Sequence, residues 1–199
     1  MNHIITISRE FGSGGRTVGK KVAEQLGIPC YDSELIQKIA EESGFAENYV
    51  KEAGEYTPGG FLSSALSNRA FGPTNEDILW EIQCRVISEL AEKGPCVIVG
   101  RCADYVLRDD PNVALVNLFV HAPLAARIRR ESARTNTTPA EAEKRIRQVD
   151  KERAAYYNFF SSKRWGDAQA YDLCVNTDGL EISEVAKLVL RYLELRGLR

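Results

Sequence analysis

His3-Ile4-Ile5-Thr6-Ile7-Ser8 leads straight into Arg9-Glu10-Phe11-Gly12-Ser13-Gly14-Gly15-Arg16-Thr17. The first six residues are β-rich and mostly apolar, the composition of a strand buried on both faces. A glycine-rich turn follows. A helical pattern then runs from Thr17 to Leu26, with Val18, Val22, Ala23 and Leu26 on one face. Strand, glycine turn and helix in that order make an anion-binding arrangement. Loop amides converge on the anion, and the helix N-terminus adds its positive dipole end. Glycines reach positive φ and keep Cβ atoms out of the anion's way. The competing reading is a plain tight turn that starts a helix.

The usual phosphate-binding pattern, G-x-x-x-x-G-K-[ST], fits only in part. With Gly14 as its second glycine, Arg9 stands at the first and Gly15 where lysine belongs. Arg16 then takes the Ser/Thr position, and Thr17 follows. A replacement cation can come from Arg16, one position later, or from Lys20 or Lys21 in the first helical turns. Arg16 is preferred because it lies at the helix entrance, although guanidinium and ammonium differ in reach and geometry. Thr17 offers a hydroxyl for Mg²⁺. Gly12, Ser13, Gly14, Gly15, Arg16 and Thr17 are therefore the candidate phosphate-binding set.

Outward from this loop, strands alternate with helices. Gly27-Ile28-Pro29 stops the first helix, and Cys30-Tyr31 reads as a short second strand. Asp32-Ser33 offers a cap for a helix from Glu34 to Ser43. Glu55 to Thr74 is irregular, with a short helix around Leu62 to Ala70. Asn75 can cap a long helix that reaches Ala91. Cys96 to Val99, Val113 to His121 and Tyr171 to Val175 read as further strands. Basic helices span Leu124 to Arg134 and Pro139 to Phe160, and a last helix spans Glu181 to Leu195. Short apolar strands between helices argue for an α/β fold, a parallel sheet of about five strands sandwiched by helices. In such sheets ligands sit beyond the carboxyl ends of the strands, where the unusual residues of this chain cluster.

Composition narrows the function. The 199 residues are 44% hydrophobic and 27% charged, with a net charge of −2, which excludes a disordered chain. The longest apolar runs, such as Cys96 to Val99, fall far short of the ~20 residues of a membrane span. No basic-then-apolar leader precedes the first strand, so no secretory signal is expected. Five dispersed cysteines read as buried thiols in a reducing compartment, and the expected location is cytoplasmic. Two histidines exclude a histidine-rich metal site. Charge is uneven: Arg127 to Arg164 holds eleven Lys/Arg against five acids, +6, which leaves the remainder at −8. That segment is either a solvated helical face or a cationic flap over a small anionic ligand. The acidic balance of the whole chain argues against a nucleic acid polymer as partner.

Several stretches together resemble the bacterial cytidylate kinases. Phe11 to Thr17 is similar to their Gly-Ser-Gly-Lys-Gly-Thr loop. Pro95-Cys96-Val97-Ile98-Val99-Gly100-Arg101 resembles their strand ending in Gly-Arg-Asp. Phe119 to Pro123, followed by Arg127, Arg129 and Arg130, resembles their next strand and arginine-rich lid helix. Val175 to Leu180 with Ile182, Glu184 and Val185 is similar to their last strand and helix. The resemblance covers nearly the whole chain and is nearest to a divergent cytidylate-kinase-like group. It implies a P-loop NTPase three-layer sandwich in a single domain. The core would be 1–31, 75–123 and 170–199, with an acceptor-binding helical insert at about 32–74 and an arginine-rich lid at about 124–169. It also implies transfer of the ATP γ-phosphoryl group to a nucleoside monophosphate such as CMP, with Mg²⁺.

On that footing Arg16, Arg101, Arg130 and Arg153 are the candidate catalytic arginines. Asp32, Arg101 and Asp104 are the candidate acceptor contacts, and Thr17 is the metal contact. Each has a plainer reading: a structural ion pair for Arg101, a helix cap for Asp32, a solvated acid at a helix start for Asp104, surface charge for Arg130 and Arg153. The chain departs from the family at Gly15, which replaces lysine, and at Cys102, which replaces the Asp after Gly-Arg. In the lid only Asp150 aligns securely. Tyr156, Tyr157, Phe159, Phe160 and Trp165 form an aromatic patch suited to lid packing or to a homodimer contact. Two alternatives stay open: a non-catalytic nucleotide sensor that lost turnover with the lysine, and a kinase for another small phosphorylated acceptor. No membrane partner is expected.

Overall fold

Strand β1 (Asn2–Arg9) is the axis of the molecule, and its neighbours explain where everything else lies. The computed structural model describes residues 2–53 and 74–198; the helix expected at about Leu62 to Ala70 lies outside them. Helix α1 (Gly15–Leu26) follows β1 and ends at Gly27, whose φ of 68° supplies the left-handed C-cap. Then come β2 (Cys30–Tyr31), α2 (Ser33–Ser43) and α3 (Glu47–Ala53). The long helix α4 (Asn75–Glu92) leads to β3 (Cys96–Val99), the single turn α5 (Ala103–Val106) and β4 (Val113–His121). A helical hairpin, α6 (Leu124–Thr135) and α7 (Pro139–Ser161), precedes β5 (Leu173–Asn176) and α8 (Ile182–Leu195).

The five strands form one parallel sheet in the order β2-β3-β1-β4-β5. Strand side chains alternate between faces, so both faces of an apolar strand need cover. Ile5 and Ile7 of β1, with Val97 and Val99 of β3, pack under α1 and α8 against Val18, Val22, Val185 and Val189. Ile4, Cys96 and Ile98 point the other way, onto Leu35, Ile39, Val86 and Ile87 of α2 and α4. The result is the three-layer P-loop NTPase sandwich. Each fully buried Ile, Leu or Val contributes roughly 1.5–3 kcal/mol, which is why short strands suffice.

Three boundaries differ from the sequence reading for local reasons. Thr74, not Asn75, caps α4: its hydroxyl accepts from Asp77 N while the Asp77 carboxylate accepts from Thr74 N. Asp32 occupies the N-cap position of α2, yet its side chain makes no capping bond. Tyr171 is extended, but the chain bends at Asp172 and ladder pairing of β5 with β4 begins only at Leu173.

The aromatic patch of α7 packs inward. Tyr156 and Tyr157 are buried with Cys102, and the Phe160 ring stacks on Trp80 of α4 at 3.9 Å. The C-terminal half of the hairpin is thereby fixed to the core, while Phe159 stays 46% exposed. All five cysteines are free thiols, and burial pushes Cys30 and Cys84 up to about 11 and Cys96 to about 12. Among the described residues no helix is long and apolar enough to cross a membrane.

Candidate active site

Because the sheet is parallel and β1 lies in its middle, the loops after β1, β3 and β4 meet at one end. There a cavity of about 510 Å³ opens between the glycine loop, the start of α2 and the helical hairpin. Among the described residues its lining holds eight arginines and lysines against three carboxylates, a strongly cationic wall in a chain of net charge −2. Such a concentration of like charge is costly unless an anion enters.

One end of the cavity is the glycine loop. Gly12 and Gly14 have φ of 77° and 88°, the left-handed region that glycine adopts without strain. Helix α1 begins at Gly15 with no side-chain cap and no acid in its first turn. The first amides of the helix therefore lack intrahelical partners and keep the positive end of the dipole open. Thr17 is exposed at this helix start and lines the cavity. Ser13 does not: its side chain is fully buried, and its hydroxyl donates to Glu10 O at 2.8 Å. Its part in the loop is structural.

The loop is tied down from behind. Asp150 accepts from Phe11 N at 2.7 Å and pairs with Arg127, whose Nε donates to Ala122 O at 2.9 Å. Glu10 accepts from Ala122 N at 3.0 Å. Arg130 donates to Ser13 O at 3.2 Å and, through both terminal nitrogens, to Thr177 at 2.7 and 2.6 Å. Thr177, fully buried, in turn donates to Ser13 O at 2.7 Å. Arg153 Nη1 donates to Arg9 O at 3.1 Å. So Arg127, Arg130 and Arg153 lock the hairpin to the loop, and Arg130 and Arg153 also line the cavity. Glu131, buried, holds Arg134 by two bonds of 3.0 and 2.7 Å and keeps it at the rim.

The opposite wall is Arg101. Gly100, Arg101 and Cys102 all have positive φ, which turns the chain sharply after β3. Gln83, buried on the apolar stripe of α4, holds the turn by donating to Arg101 O at 3.1 Å. The Arg101 side chain is 4% exposed and lines the cavity. Nη1 donates to Val50 O at 2.9 Å, but Nη2 is buried with no partner. Arg101 makes no ion pair among the described residues. A buried guanidinium in that condition is expensive, because its desolvation is uncompensated. Its unpartnered Nη2 lies on a side chain that lines the cavity, where an anion could meet it.

Arg16 and Asp32 meet across the cavity mouth as an ion pair between Arg16 Nε and Asp32 Oδ2. The pair explains why Asp32 leaves its helix uncapped. Lys20 and Lys21, the other sequence candidates for the missing cation, are not in the lining. Asp104 is also elsewhere. The left-handed turn at Arg101 and Cys102 swings it to the far side of α5, where it accepts from Tyr157 Oη at 2.6 Å.

Burial raises the Asp104 carboxyl above the ordinary Asp range, although the Tyr157 hydrogen bond works against that rise. A folded pKa above the unfolded one contributes stability that is full below the unfolded value and is lost as pH rises through the folded value. Asp104→Asn keeps an acceptor for Tyr157 and cannot ionise. Its stability relative to wild type is expected to increase with pH from about pH 4 upward, as measured by urea unfolding at successive pH values. A difference that stays flat across that range contradicts the raised carboxyl.

Of the residues the sequence singled out, the structure brings Gly12, Gly14, Gly15, Arg16, Thr17, Asp32, Arg101, Arg130 and Arg153 together in the lining, beside Arg9, Lys51, Arg134 and Arg145, which the sequence reading had not placed in the site. Gln83 carried a readable signal, a polar residue at helical spacing among Leu79, Val86, Ile87 and Leu90. Arg134 and Arg145 carried none beyond the +6 charge, whereas Arg130 and Arg153 were singled out by the family resemblance. Among the described residues no group of three or more His, Cys, Asp or Glu could hold a metal.

Comparison with known proteins agrees with this architecture. The cytidylate kinase-like family model matches residues 4–179. A cytidylate kinase from Methanobrevibacter smithii is 27% identical over 194 residues, covering 96% of this chain and 99% of that one. The crystal structure of an uncharacterized protein from Eubacterium ventriosum superposes with a TM-score of 0.73 at 28% identity, over 96% of this chain and 98% of that one. A shikimate kinase from Acinetobacter baumannii shares the fold at a TM-score of 0.54 and 15% identity, over 100% of this chain and 96% of that one. The chain belongs to the cytidylate kinase-like family.

Proposed function

We propose that this protein transfers the γ-phosphoryl group of ATP to a nucleoside monophosphate of the CMP kind. The observation that carries the reading is the pairing of two anion receptors in one cavity. The uncapped glycine loop receives the donor's phosphates, and Arg101, with its unpartnered Nη2, receives the acceptor phosphate. Phosphoryl transfer needs positioning and charge neutralisation more than a covalent group on the protein. The terminal P–O bond of ATP breaks as an acceptor phosphate oxygen forms the new one. Relatives named cytidylate kinase over nearly the full chain support the reading.

The residues divide the work. Amides of Gly12, Gly14, Gly15, Arg16 and Thr17 hold phosphate oxygens, while Ser13 shapes the loop. Thr17 would offer its hydroxyl to Mg²⁺, which when bound would neutralise charge on the nucleotide's phosphates. Arg16 leaves Asp32 for the phosphates, and Asp32 is then free for the acceptor. Arg130 and Arg153 keep the hairpin, acting as lid, over the loop and present charge to the migrating group. Segment 32–74 contributes the acceptor side. Five free thiols fit a reducing, cytoplasmic site of action.

One observation favours a second reading. No lysine follows Gly14, and Arg16 is engaged by Asp32, the arrangement expected of a nucleotide sensor without turnover. The deciding experiment is ATP consumption with Mg²⁺ against a panel of nucleoside monophosphates, for wild type, Arg16→Ala and Arg101→Ala. CMP- or UMP-dependent turnover, reduced at least about tenfold in each variant, is expected. Tight ATP binding with no turnover on any monophosphate removes the nucleoside monophosphate kinase and leaves the sensor or a kinase for a different acceptor.

A further inference from the structure

A glycine loop of the usual kind carries lysine directly after its second glycine, and here that place is Gly15. No side chain fits there. A Cβ built on Gly15 lies 2.5 Å from Arg9 Cβ, 3.1 Å from Arg9 Cγ and 3.2 Å from Val120 Cβ. Arg9 is the last residue of β1 and stands where the usual loop has its first glycine, which bears no side chain at all. The two departures from the pattern are therefore one. The Arg9 stem fills the volume that a stem at position 15 would need, and Arg9 lines the cavity.

The backbone of Arg9 is well held. It pairs with Val120 in the parallel ladder, and its carbonyl accepts from Arg153 Nη1 at 3.1 Å. The other lining cations approach from elsewhere: Arg16 stands at the start of α1 and meets Asp32 across the cavity mouth, and Arg130 reaches the loop from the hairpin through Ser13 and Thr177. Lys20 and Lys21 are outside the lining.

We infer that Arg9 supplies the cation for the outer phosphates of the bound nucleoside triphosphate, from the strand side of the loop in place of the helix side. The inference rests on the nucleotide reading above and adds a residue to it. It also explains why the chain tolerates glycine at position 15: a cation at 9 and a side chain at 15 are mutually exclusive.

Calorimetric titration of MgATP, MgADP and AMP into wild type and Arg9→Met tests it. Methionine keeps an apolar stem over Gly15 and removes the charge and its donors. MgATP affinity is expected to fall about tenfold or more, with a smaller fall for MgADP and none for AMP. No loss, or an equal loss on all three ligands, overturns the assignment. Should Arg9→Met not fold, Arg9→Lys carries the same comparison, since ammonium keeps charge but not the planar fork. A MgATP-selective loss there supports Arg9, and a uniform one overturns it. Wild type that binds none of the three removes the nucleotide reading itself. That result is distinct from wild type that binds MgATP beside an unimpaired Arg9→Met.

Discussion

Arg101→Met is expected to cost about 100-fold in monophosphate-dependent turnover while leaving the protein as stable as wild type or more so. The two halves of that result have one cause. Arg101 is 4% exposed, lacks an ion pair among the described residues and leaves Nη2 unpartnered. A buried charge in that state carries a desolvation penalty of roughly several kcal/mol. Against it stands one hydrogen bond to Val50 O at 2.9 Å, worth about 0.5–1.5 kcal/mol. Methionine retains much of the apolar stem, so packing changes little. On the functional side, a charge-assisted contact to a phosphate is worth about 1.5–3 kcal/mol, and more where it strengthens in the transition state. Urea unfolding and steady-state turnover on one preparation check both halves. A stability loss above about 3 kcal/mol with turnover intact identifies Arg101 as a structural brace instead.

This combination, an unstable group retained beside a cavity, also marks what was legible from the sequence. The strand–loop–helix opening, the parallel sheet and the glycine set follow from period and composition, because burial on both faces leaves apolar strands little freedom. Helix α3 did not stand out, since among its described side chains only Val50 is fully buried in the core and Tyr49 packs at its edge. Arg101 was legible from its place after Gly100 at the end of a strand. Asp104 was misplaced by the same reasoning. Two consecutive left-handed residues, Arg101 and Cys102, reverse the chain, and spacing along a sequence carries no sign of such a turn when neither is glycine.

The arginines were hardest to sort. A charge of +6 over Arg127 to Arg164 announces a cationic hairpin but not which guanidinium meets a ligand. Arg127 is paired with Asp150 and Glu10, while Arg130 braces the loop through Thr177 and still lines the cavity. Those assignments depend on residues more than twenty positions away, so only the folded chain reveals them. Arg9 shows the converse. It reads as a broken motif until the space beside Gly15 is measured.

That space makes the second large prediction counterintuitive: restoring the usual lysine by Gly15→Lys is expected to destroy phosphate binding. The new Cβ would sit 2.5 Å from Arg9 Cβ and 3.2 Å from Val120 Cβ. Neither atom can retreat by changing rotamer, because a Cβ is fixed by its backbone. The loop must therefore move, at about 1–3 kcal/mol for overpacking, and the converging amides move with it. MgATP affinity in Gly15→Lys is expected to drop more than about tenfold, with a lower melting temperature. Arg9→Gly combined with Gly15→Lys removes the nearer clash and rebuilds the conventional pattern, so the pair is expected to bind MgATP better than Gly15→Lys alone. Such non-additivity is the signature of two residues sharing one volume. If Gly15→Lys alone binds MgATP more tightly than wild type at unchanged stability, the volume was never shared, and the loop lacks nothing but its lysine.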